Sequence, residues 1–162
     1  MKIGFLIIDL QTIHVQDRVD KTEINKACQY INYVSKLLRT KEHVVVHIQD
    51  IEGMNDATKD KYNIIPEVHI ADTDLKVSKK FSNAFWQTEL EQLLKSHGVE
   101  LLIISGFAAE YCVLFTYNGA TERGFKPVLL QNGFLSINSD MIASTYRDRN
   151  VISYPAIEYL LK

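Results

Sequence analysis

Side chains suited to covalent catalysis follow three separate apolar runs of the chain. They are Asp9 after residues 3–8, Lys79 and Lys80 after residues 75–78, and Cys112 after residues 101–105. A thiolate is a strong nucleophile, a neighbouring carboxylate can take up the thiol proton, and an ammonium stabilises both charges. In a parallel sheet the carboxyl ends of the strands lie along one edge, where ligands bind. The sequence therefore predicts a nucleophile, a base and a cation along one edge of a sheet.

Cys112 has the sequence surroundings of an activated thiol. It lies in the first turn of a helix predicted to start near Ala109. A helix N-terminus and a nearby cation lower the pKa of a thiol from about 8.5 toward roughly 3.5–7.5, so we expect a low pKa for Cys112. Gly106 permits a tight turn that brings backbone N–H groups together around an oxyanion. The alternative interpretation is a small, buried and inert cysteine at a strand–helix junction.

The other candidate residues also have structural interpretations. Asp9 could cap a turn through nearby backbone N–H groups, and a lysine in a loop usually extends into solvent. A carboxylate that directly follows an apolar run is costly to bury unless a cation pairs with it, and Lys79 is suited to that role. Cys28 lies on the apolar stripe of a helix beside Ile24 and Ile31. We predict Cys28 to be a core residue.

Metal and nucleotide sites are weakly indicated. The chain has 5 histidines but no His-x-x-x-His or Cys-x-x-Cys grouping, the spacings typical of metal ligands. A loose set of possible ligands consists of His47, Asp50, Glu52 and His69. Gly-x-Gly-x-x-Gly and Walker patterns do not occur, which disfavours a dinucleotide, nucleoside triphosphate or flavodoxin-like site. We therefore expect no metal and no cofactor.

Alternating strands and helices must position the candidate residues. Continuous apolar runs typical of strands buried on both faces occupy residues 3–8, 44–48, 75–78, 101–105, 128–130 and 151–153. Helical patterns occupy residues 24–38, 88–98, 109–123, 139–146 and 156–161. Predicted capping boxes pair Asp20 with Glu23 and Thr88 with Glu91. The alternation predicts an α/β fold, a three-layer α-β-α sandwich around a parallel sheet of about six strands, as one domain over residues 1–162.

One connection is unusually long. It runs from Asp50 to Thr73 and contains Gly53, Asn55 and Asn63. A loop of that length in a compact domain is usually functional, so it predicts a lid or a pocket wall.

Composition narrows the class of partner. Hydrophobic residues make up 46% of the chain and charged residues 23%, which excludes a disordered chain. The formal charge is −2, and the electrostatic pattern of a nucleic-acid binder is missing. The first apolar run is too short for a signal-peptide core or a membrane span. We expect a cytoplasmic protein that acts on a small molecule, without nucleic acid or membrane partners.

Three segments of the chain occur in the order of a known family's motifs. They are Ile7-Ile8-Asp9-Leu10-Gln11, then Val77-Ser78-Lys79 with Asn83-Ala84-Phe85 and Thr88-Glu89-Leu90, and finally Gly106-Phe107-Ala108-Ala109-Glu110-Tyr111-Cys112-Val113. Together they resemble the isochorismatase-like cysteine hydrolase family, which includes nicotinamidases and carbamoylsarcosine amidases. The resemblance spans Lys2 to about Leu130 and implies a six-stranded parallel sheet in the order 3-2-1-4-5-6.

The resemblance also implies a catalytic triad. It makes Cys112 the nucleophile, Asp9 the acid and base, and Lys79 the lysine, with Lys80 as the fallback. It further implies an oxyanion hole formed by the N–H groups of Ala108 and Cys112.

A cis peptide between Phe107 and Ala108 is the backbone feature that the resemblance implies beside the nucleophile. The presence of Cys112 points, by resemblance, to hydrolysis of a small amide or a related C–N compound through a thioester. Family members are often dimers or tetramers, so the resemblance implies a homo-oligomer. The alternative is a non-catalytic binding or redox-sensitive member of the same fold.

The sequence departs from the family's motifs at two places. Ala109 stands where many members have Thr or Ser. The zinc motif of nicotinamidases, Asp-x-His followed by a later His, occurs here as Asp50-Ile51-Glu52 and lacks the first histidine. We therefore do not expect a nicotinamidase-type zinc site.

Aromatic residues are concentrated near the motifs. They are Phe81, Phe85, Trp86, Phe107 and Tyr111. Such residues could line an apolar pocket for a flat substrate. The alternative for each of them is ordinary core packing.

Overall fold

Six parallel strands form the centre of the molecule, which the computed structural model describes over residues 1–162. The strands are β1 (Lys2–Ile8), β2 (Val44–Asp50), β3 (Leu75–Lys79), β4 (Val99–Phe107), β5 (Lys126–Leu135) and β6 (Val151–Ile152). Their order across the sheet is β3-β2-β1-β4-β5-β6, which confirms the predicted α/β fold and strand order. Because β1 and β4 are neighbours, with Ile8 opposite Gly106, the segments that follow these two strands meet at one edge of the sheet.

Helices cover both faces of this sheet. They are α1 (Thr12–Val15), α2 (Lys21–Thr40), α3 (Leu90–Ser96), α4 (Cys112–Glu122), α5 (Ser139–Asp148) and α6 (Tyr154–Leu160). Residues of α2 and α6 pack on one face, and residues of α3 and α4 pack on the other. None of these helices combines the length and the apolar character needed to cross a membrane.

Side chains of the central strands alternate between two apolar cores. In β1, Ile3, Phe5 and Ile7 belong to the core beneath α2, whereas Leu6 and Ile8 belong to the core beneath α3 and α4. A strand that is packed on both faces needs apolar residues at every position, which explains the continuous runs. Burial of each such side chain contributes roughly 1.5–3 kcal/mol to folding.

The edge strand β3 differs from the prediction of burial on both faces. Val77 and Lys79 are buried, whereas Lys76 and Ser78 are exposed. Strand β3 pairs only with β2, and one of its faces is open to solvent. The charged end of the Lys79 side chain is therefore turned inward, toward the interior of the molecule.

The sequence predicts the start of α2 correctly, but it places the starts of α3 and α4 too early. Asp20 caps α2 as expected, because its carboxylate accepts the N–H groups of Thr22 and Glu23. The predicted start of α3 at Thr88 is wrong, because α3 begins at Leu90. The Thr88 hydroxyl accepts the N–H of Leu90 at 3.3 Å and donates to the carbonyl of Ala84, without the predicted pairing with Glu91.

Helix α4 begins at Cys112 and not near Ala109. The backbone N–H of Ala109 donates to the carbonyl of Leu135 at the end of β5, which holds residues 109–111 in a turn. Cys112 is consequently the first residue of the helix.

The long connection after Asp50 packs against the rest of the molecule. It contains a short 3-10 helix (Lys59–Tyr62), and its residues Ile65 and Val68 belong to the core beneath α2. The N–H of Ile65 donates to the carbonyl of Leu10, two residues from the end of β1. This connection therefore forms a fixed wall beside the segment that carries Asp9.

Candidate active site

The three predicted catalytic residues lie at the carboxyl edge of the sheet. Asp9 is the first residue after β1, Lys79 ends β3, and Cys112 begins α4. Asp9 has a positive φ of 50°, a conformation that Asp tolerates better than most residues. Its N–H donates to the carbonyl of Ile48 in β2. The turn after β1 is thus fixed by the neighbouring strand.

The side chains of these residues are in contact. Lys79 Nζ lies 2.8 Å from Asp9 Oδ2 and 3.4 Å from Cys112 Sγ. Strand β2 lies between β3 and β1, so the long Lys79 side chain spans the neighbouring strand to reach Asp9. The Asp9 and Lys79 side chains are only 2% and 1% exposed. Lys80 is exposed, so the structure brings Lys79 and not the fallback lysine to the site.

Burial and pairing set the protonation of this ion pair. Burial raises the pKa of Asp9 above its ordinary value, and the contact with Lys79 opposes that rise only in part. For Lys79, burial is the largest single effect and lowers the pKa, but the charges of Asp9, Cys112 and Asp50 and the hydrogen bond to Asp9 together outweigh it, so the pKa is raised. Oδ1 of Asp9 is buried without a hydrogen-bond partner. Asp9 therefore has both an affinity for a proton and a free oxygen to receive it.

The expectation of a low pKa for Cys112 is wrong. Burial, followed by the charge of Asp9, raises the pKa of this thiol to about 12, and the opposing effect of Lys79 is smaller. The sequence showed the helix N-terminus and the lysine, but it did not show how deeply the sulfur lies or how close the carboxylate is. At neutral pH Cys112 is therefore a neutral thiol beside the Asp9 carboxyl group, and not a preformed thiolate.

The backbone before Cys112 supplies N–H groups without protein acceptors. The peptide between Phe107 and Ala108 is cis, as the resemblance implies. Neither the N–H of Ala108 nor that of Cys112 donates to a protein carbonyl or side chain. Both N–H groups are therefore unpaired within the protein, as the predicted oxyanion hole requires.

Gly106 allows the ends of β1 and β4 to approach each other. Its φ is +113°, and a Cβ at this position would lie 2.0 Å from the carbonyl oxygen of Ile8. Only glycine fits this conformation and this spacing. Ile8 immediately precedes Asp9, so Gly106 determines how closely Asp9 and the segment that leads to Cys112 approach each other.

A second polar group, formed by Gln11, His14 and Asp50, lies beside the triad; sequence reasoning assigned no role to Gln11 or His14 and named Asp50 only as a possible metal ligand. Gln11 is fully buried, accepts the N–H of Asp50, and donates to the carbonyl oxygens of Asp50 and Tyr62. It thereby fixes the end of β2. His14 Nε2 lies 3.1 Å from Asp50 Oδ2, bent away from the geometry of a linear hydrogen bond. The only sequence signal for this group was that Gln11 belongs to the quoted motif and His14 follows Asp9 by five residues.

The pKa of Asp50 is shifted in the opposite direction from the pKa of Asp9. Burial raises the pKa of Asp50, but its contact with His14, the N–H of Glu52 and the charge of Lys79 together lower it below the ordinary value. The two carboxylates of the site are therefore shifted in opposite directions, which is typical of groups with different chemical roles.

The loose set of possible metal ligands does not come together. His47 contacts Asp74 at 2.9 Å, and Glu52 and His69 are exposed. A different trio, Asp9, His14 and Asp50, has ligand atoms within 4.8 Å of one another.

This trio does not fit the zinc site of a nicotinamidase. It has one histidine where that motif contributes two, and the Lys79 ammonium already contacts Asp9 at 2.8 Å. A divalent cation bound to the trio would be repelled by this ammonium.

The predicted aromatic pocket is brought together only in part. Phe107 is buried, and its ring stacks on that of His14 with centroids 6.2 Å apart. Phe85 stacks on Phe125 in the core beneath α3 and α4, which removes it from the predicted pocket. The remaining predicted residues, Phe81, Trp86 and Tyr111, are exposed by 46%, 52% and 61%.

Comparisons with known proteins agree with this geometry. The sequence profile of the Isochorismatase domain matches residues 4–148. The isochorismatase family protein YaaI of Bacillus subtilis is 29% identical over 154 residues, covering 87% of this chain and 78% of that protein.

Two solved structures share the fold. An isochorismatase-like hydrolase from Alkaliphilus metalliredigens superposes with a TM-score of 0.87 at 20% identity, covering 99% of this chain and 98% of that one. N-carbamoylsarcosine amidase from Thermoplasma acidophilum superposes with a TM-score of 0.78 at 19% identity, covering 91% and 92%. Since the domain profile matches most of the chain and includes Asp9, Lys79 and Cys112, this chain belongs to the isochorismatase family of hydrolases.

Proposed function

We propose that the chain is a cysteine-dependent hydrolase that cleaves a small amide or a related C–N compound through a thioester acyl-enzyme. The observation that carries this proposal is the position of the Lys79 ammonium, 2.8 Å from the Asp9 carboxylate and 3.4 Å from the Cys112 sulfur. Membership of the family supports hydrolysis. The shared fold of N-carbamoylsarcosine amidase supports cleavage of a C–N bond.

Acylation begins with a proton transfer. Asp9 takes the proton of the Cys112 thiol as the sulfur attacks the substrate carbonyl, so that a free thiolate does not accumulate. The oxyanion of the tetrahedral intermediate accepts the N–H groups of Ala108 and Cys112. Asp9 then gives its proton to the leaving nitrogen, the C–N bond breaks, and a thioester remains on Cys112. Lys79 stabilises the negative charges on sulfur and carboxylate throughout.

Deacylation repeats these steps with water as the nucleophile. Asp9 takes a proton from the water as its oxygen attacks the thioester carbonyl. The second tetrahedral intermediate uses the same N–H groups. When the C–S bond breaks, the sulfur takes the proton back from Asp9, and the acid product leaves. The pKa of Asp9, raised by burial against the opposing effect of Lys79, suits a group that must accept and return a proton in each half of the cycle.

Ammonia release from a panel of small amides tests this function. We expect the wild-type chain to hydrolyse at least one member, and the Cys112→Ala and Asp9→Asn variants to lose that activity by a factor on the order of 10³ or more. The matched control is Cys28→Ala, because Cys28 is the second cysteine and is a buried core residue on α2.

The outcome of this comparison separates two functions. Retained activity in Cys28→Ala with loss in the other two variants supports the hydrolase. Equal background release by all four proteins supports the non-catalytic binding or redox-sensitive member of the fold.

A further inference from the structure

Three tyrosine rings meet at the surface between α2 and α6. Tyr30 and Tyr33 lie about one turn apart on α2, and Tyr154 begins α6. The centroid of the Tyr154 ring is 6.1 Å from that of Tyr30 and 5.3 Å from that of Tyr33, with interplanar angles of 56° and 74°. Because the rings are inclined to one another, they line a depression of about 320 Å³ together with Gln29. We call these three residues the tyrosine cluster.

The helices hold the tyrosine cluster in position without a ligand. Tyr30 packs against the core beneath α2, and Ile157 anchors α6 as a fully buried residue of the same core. The Ser153 hydroxyl accepts the N–H of Ala156 and caps the start of α6, where Tyr154 lies. A ligand that binds here therefore meets rings whose ordering cost is already met in the free protein.

The tyrosine cluster presents ring faces that no cation of the chain covers. Tyr33 and Tyr154 are 46% and 38% exposed. The cation–π contacts within the structure lie instead on Phe85, Tyr117 and Tyr159. The rings of the cluster are therefore accessible to a cation from solution.

A carboxylate adds negative charge to this aromatic surface. The Tyr33 hydroxyl donates to the carboxylate of Glu158 on α6. The face of an aromatic ring attracts a cation that lies within about 6 Å of its centroid, and a phenol that donates to a carboxylate has a more electron-rich ring. The Glu158 charge also attracts cations directly and repels anions. Ring faces and carboxylate together favour a positively charged ligand.

The chemistry of the depression favours one kind of cation. A primary ammonium or a guanidinium needs acceptors for several N–H groups, and the Glu158 carboxylate already accepts the Tyr33 hydroxyl. A methylated ammonium group has few or no N–H groups, and its methyl groups pack against rings while its charge faces their electrons. A volume of about 320 Å³ is at the lower end of the range for small-molecule sites.

We propose that the tyrosine cluster binds a small quaternary or otherwise methylated ammonium ion, with Glu158 as the counter-charge. This inference does not depend on the proposed function, because the tyrosine cluster shares no residue with the candidate active site. The site differs from the catalytic edge in chemistry as well, since it binds charge through ring faces and forms no covalent bond.

Choline and its neutral isostere test the proposal. Choline is a small quaternary ammonium ion, and in dimethylbutanol a carbon atom replaces the charged nitrogen. NMR titration of the tyrosine ring signals in the isotope-labelled chain gives a Kd for each probe. We expect saturable shifts with choline, and a Kd about tenfold lower for choline than for dimethylbutanol, because only choline carries the charge. Equal Kd values, or no saturable shift with choline, would overturn the proposal.

Variants locate the binding site. Tyr154→Leu removes the ring that contacts both others, so the Kd for choline should rise about tenfold. Glu158→Gln keeps the rings and removes the counter-charge, so the Kd should rise about threefold for choline and stay unchanged for dimethylbutanol. The matched control is Tyr159→Leu, because Tyr159 is a 73% exposed tyrosine of the same helix and does not line the depression. An unchanged Kd in Tyr154→Leu, or an equal rise in Tyr159→Leu, contradicts the assignment.

Two further measurements complete the test. Tyr33→Leu replaces Tyr154→Leu if the latter does not fold, and the same rise in Kd is expected of it. Cosedimentation with phosphatidylcholine vesicles distinguishes a free ion from a lipid headgroup. We expect the chain to stay in solution, because a depression lined by only four residues offers no surface to an acyl chain. Cosedimentation that Tyr154→Leu abolishes would overturn the choice of a free ion.

Discussion

The chemistry of single residues in this site depends on one buried cation shared by two groups. Asp9 and Cys112 both compete for stabilisation by Lys79, and burial raises the pKa of each of them. The Asp9 charge raises the thiol pKa further, while Lys79 lowers it. The thiol is therefore neutral at rest, first because it is buried and second because the Asp9 charge lies beside it. In the proposed mechanism, Asp9 also removes the thiol proton during attack.

Asp9→Asn tests this balance of charges. The substitution removes the carboxylate that raises the pKa of Cys112 and leaves the Lys79 ammonium that lowers it, so the thiol pKa should fall below the wild-type value of about 12. At a given pH below that value, more sulfur is then thiolate, and a fall of one pKa unit makes iodoacetamide alkylation about tenfold faster. Hydrolysis should be lost at the same time. The measurement is the alkylation rate of Cys112 across a pH series, and slower alkylation in Asp9→Asn contradicts the proposed arrangement of charges.

At the residue scale the sequence allowed prediction of the triad members but not of their protonation. Asp9, Lys79 and Cys112 could be named because each follows an apolar run and belongs to a motif. The pKa of Cys112 could not be predicted, since it depends on the depth of the sulfur and on a carboxylate 103 positions away in the chain. Phe85 was misassigned to the pocket because nearness in sequence does not show on which side of α4 a ring packs.

At the scale of strands and helices, the site depends on the close approach of β1 and β4. The two strands run parallel, and Gly106 lies opposite Ile8. A parallel register brings the first residue after one strand beside the turn that follows the other. Sequence periodicity predicts these strands, because continuous apolar runs are typical of a sheet covered on both faces. It did not predict the start of α4, which depends on a hydrogen bond from Ala109 to Leu135 in another strand.

Gly106→Ala should separate the two strand ends. The new Cβ would lie 2.0 Å from the Ile8 carbonyl oxygen, so the backbone must shift, at a cost of roughly 3 kcal/mol in the free energy of unfolding. Amide hydrolysis should fall with it, because Asp9 follows Ile8 directly. The matched control is Gly98→Ala, where φ is +67° but a Cβ meets nothing within 4 Å, and a loss of about 1–2 kcal/mol is expected. Urea denaturation measures the free energy of unfolding of both variants. Equal losses of this free energy would show that steric contact with β1 is unimportant.

A buried ion cluster connects α2, the middle of β2 and the residue that precedes β3. Asp74 accepts hydrogen bonds from Arg39 of α2 at 2.8 and 2.6 Å and lies 2.9 Å from His47 of β2. Burial raises the pKa of Asp74, but the bonds from Arg39, the Ala71 N–H and His47 together lower it. A carboxylate with a depressed pKa in the folded state contributes stability above its unfolded pKa, and this contribution is lost as pH falls through the folded pKa.

Asp74→Ala should therefore destabilise the fold and flatten its acid sensitivity. Removal of Asp74 leaves the partly buried Arg39 guanidinium without a counter-charge and the buried His47 ring without its hydrogen-bond partner, so the free energy of unfolding should fall by about 3 kcal/mol at neutral pH. The difference from wild type should shrink as pH falls through the carboxylate range. Urea denaturation at several pH values measures both effects, and Asp60→Ala at an exposed position is the control. A difference that grows with acidity would contradict the sign of the Asp74 contribution.

At the scale of the whole molecule, the fold could be predicted more fully than the surface. Alternating strands and helices determine the layers, and the family resemblance supplies the strand order that the structure confirms. Association of copies depends on the shape of the exposed surface, which periodicity does not describe. Large aromatic side chains near the site remain exposed, namely Phe81, Trp86, Tyr111 and Phe115.

The homo-oligomer implied by the resemblance stays a prediction, and these exposed rings suggest how to test it. Phe115 is 49% exposed on α4, and burial of such a ring against another copy would stabilise a dimer or tetramer. Sedimentation velocity should show an oligomer for the wild-type chain and a smaller species for Phe115→Glu. A control substitution at Tyr159, which is 73% exposed on α6, should leave the oligomer intact. A wild-type chain that sediments as a monomer at all concentrations contradicts the prediction.

The most direct test of the central claim is the mass of the Cys112 peptide during turnover. The wild-type chain is mixed with a hydrolysed amide, quenched in acid at successive times, digested and analysed by mass spectrometry. The account predicts a peptide heavier by the acyl group of the substrate, which loses that mass on treatment with hydroxylamine and does not form in Asp9→Asn. An unmodified Cys112 peptide at every quench time, with undiminished hydrolysis by Cys112→Ala, would contradict it.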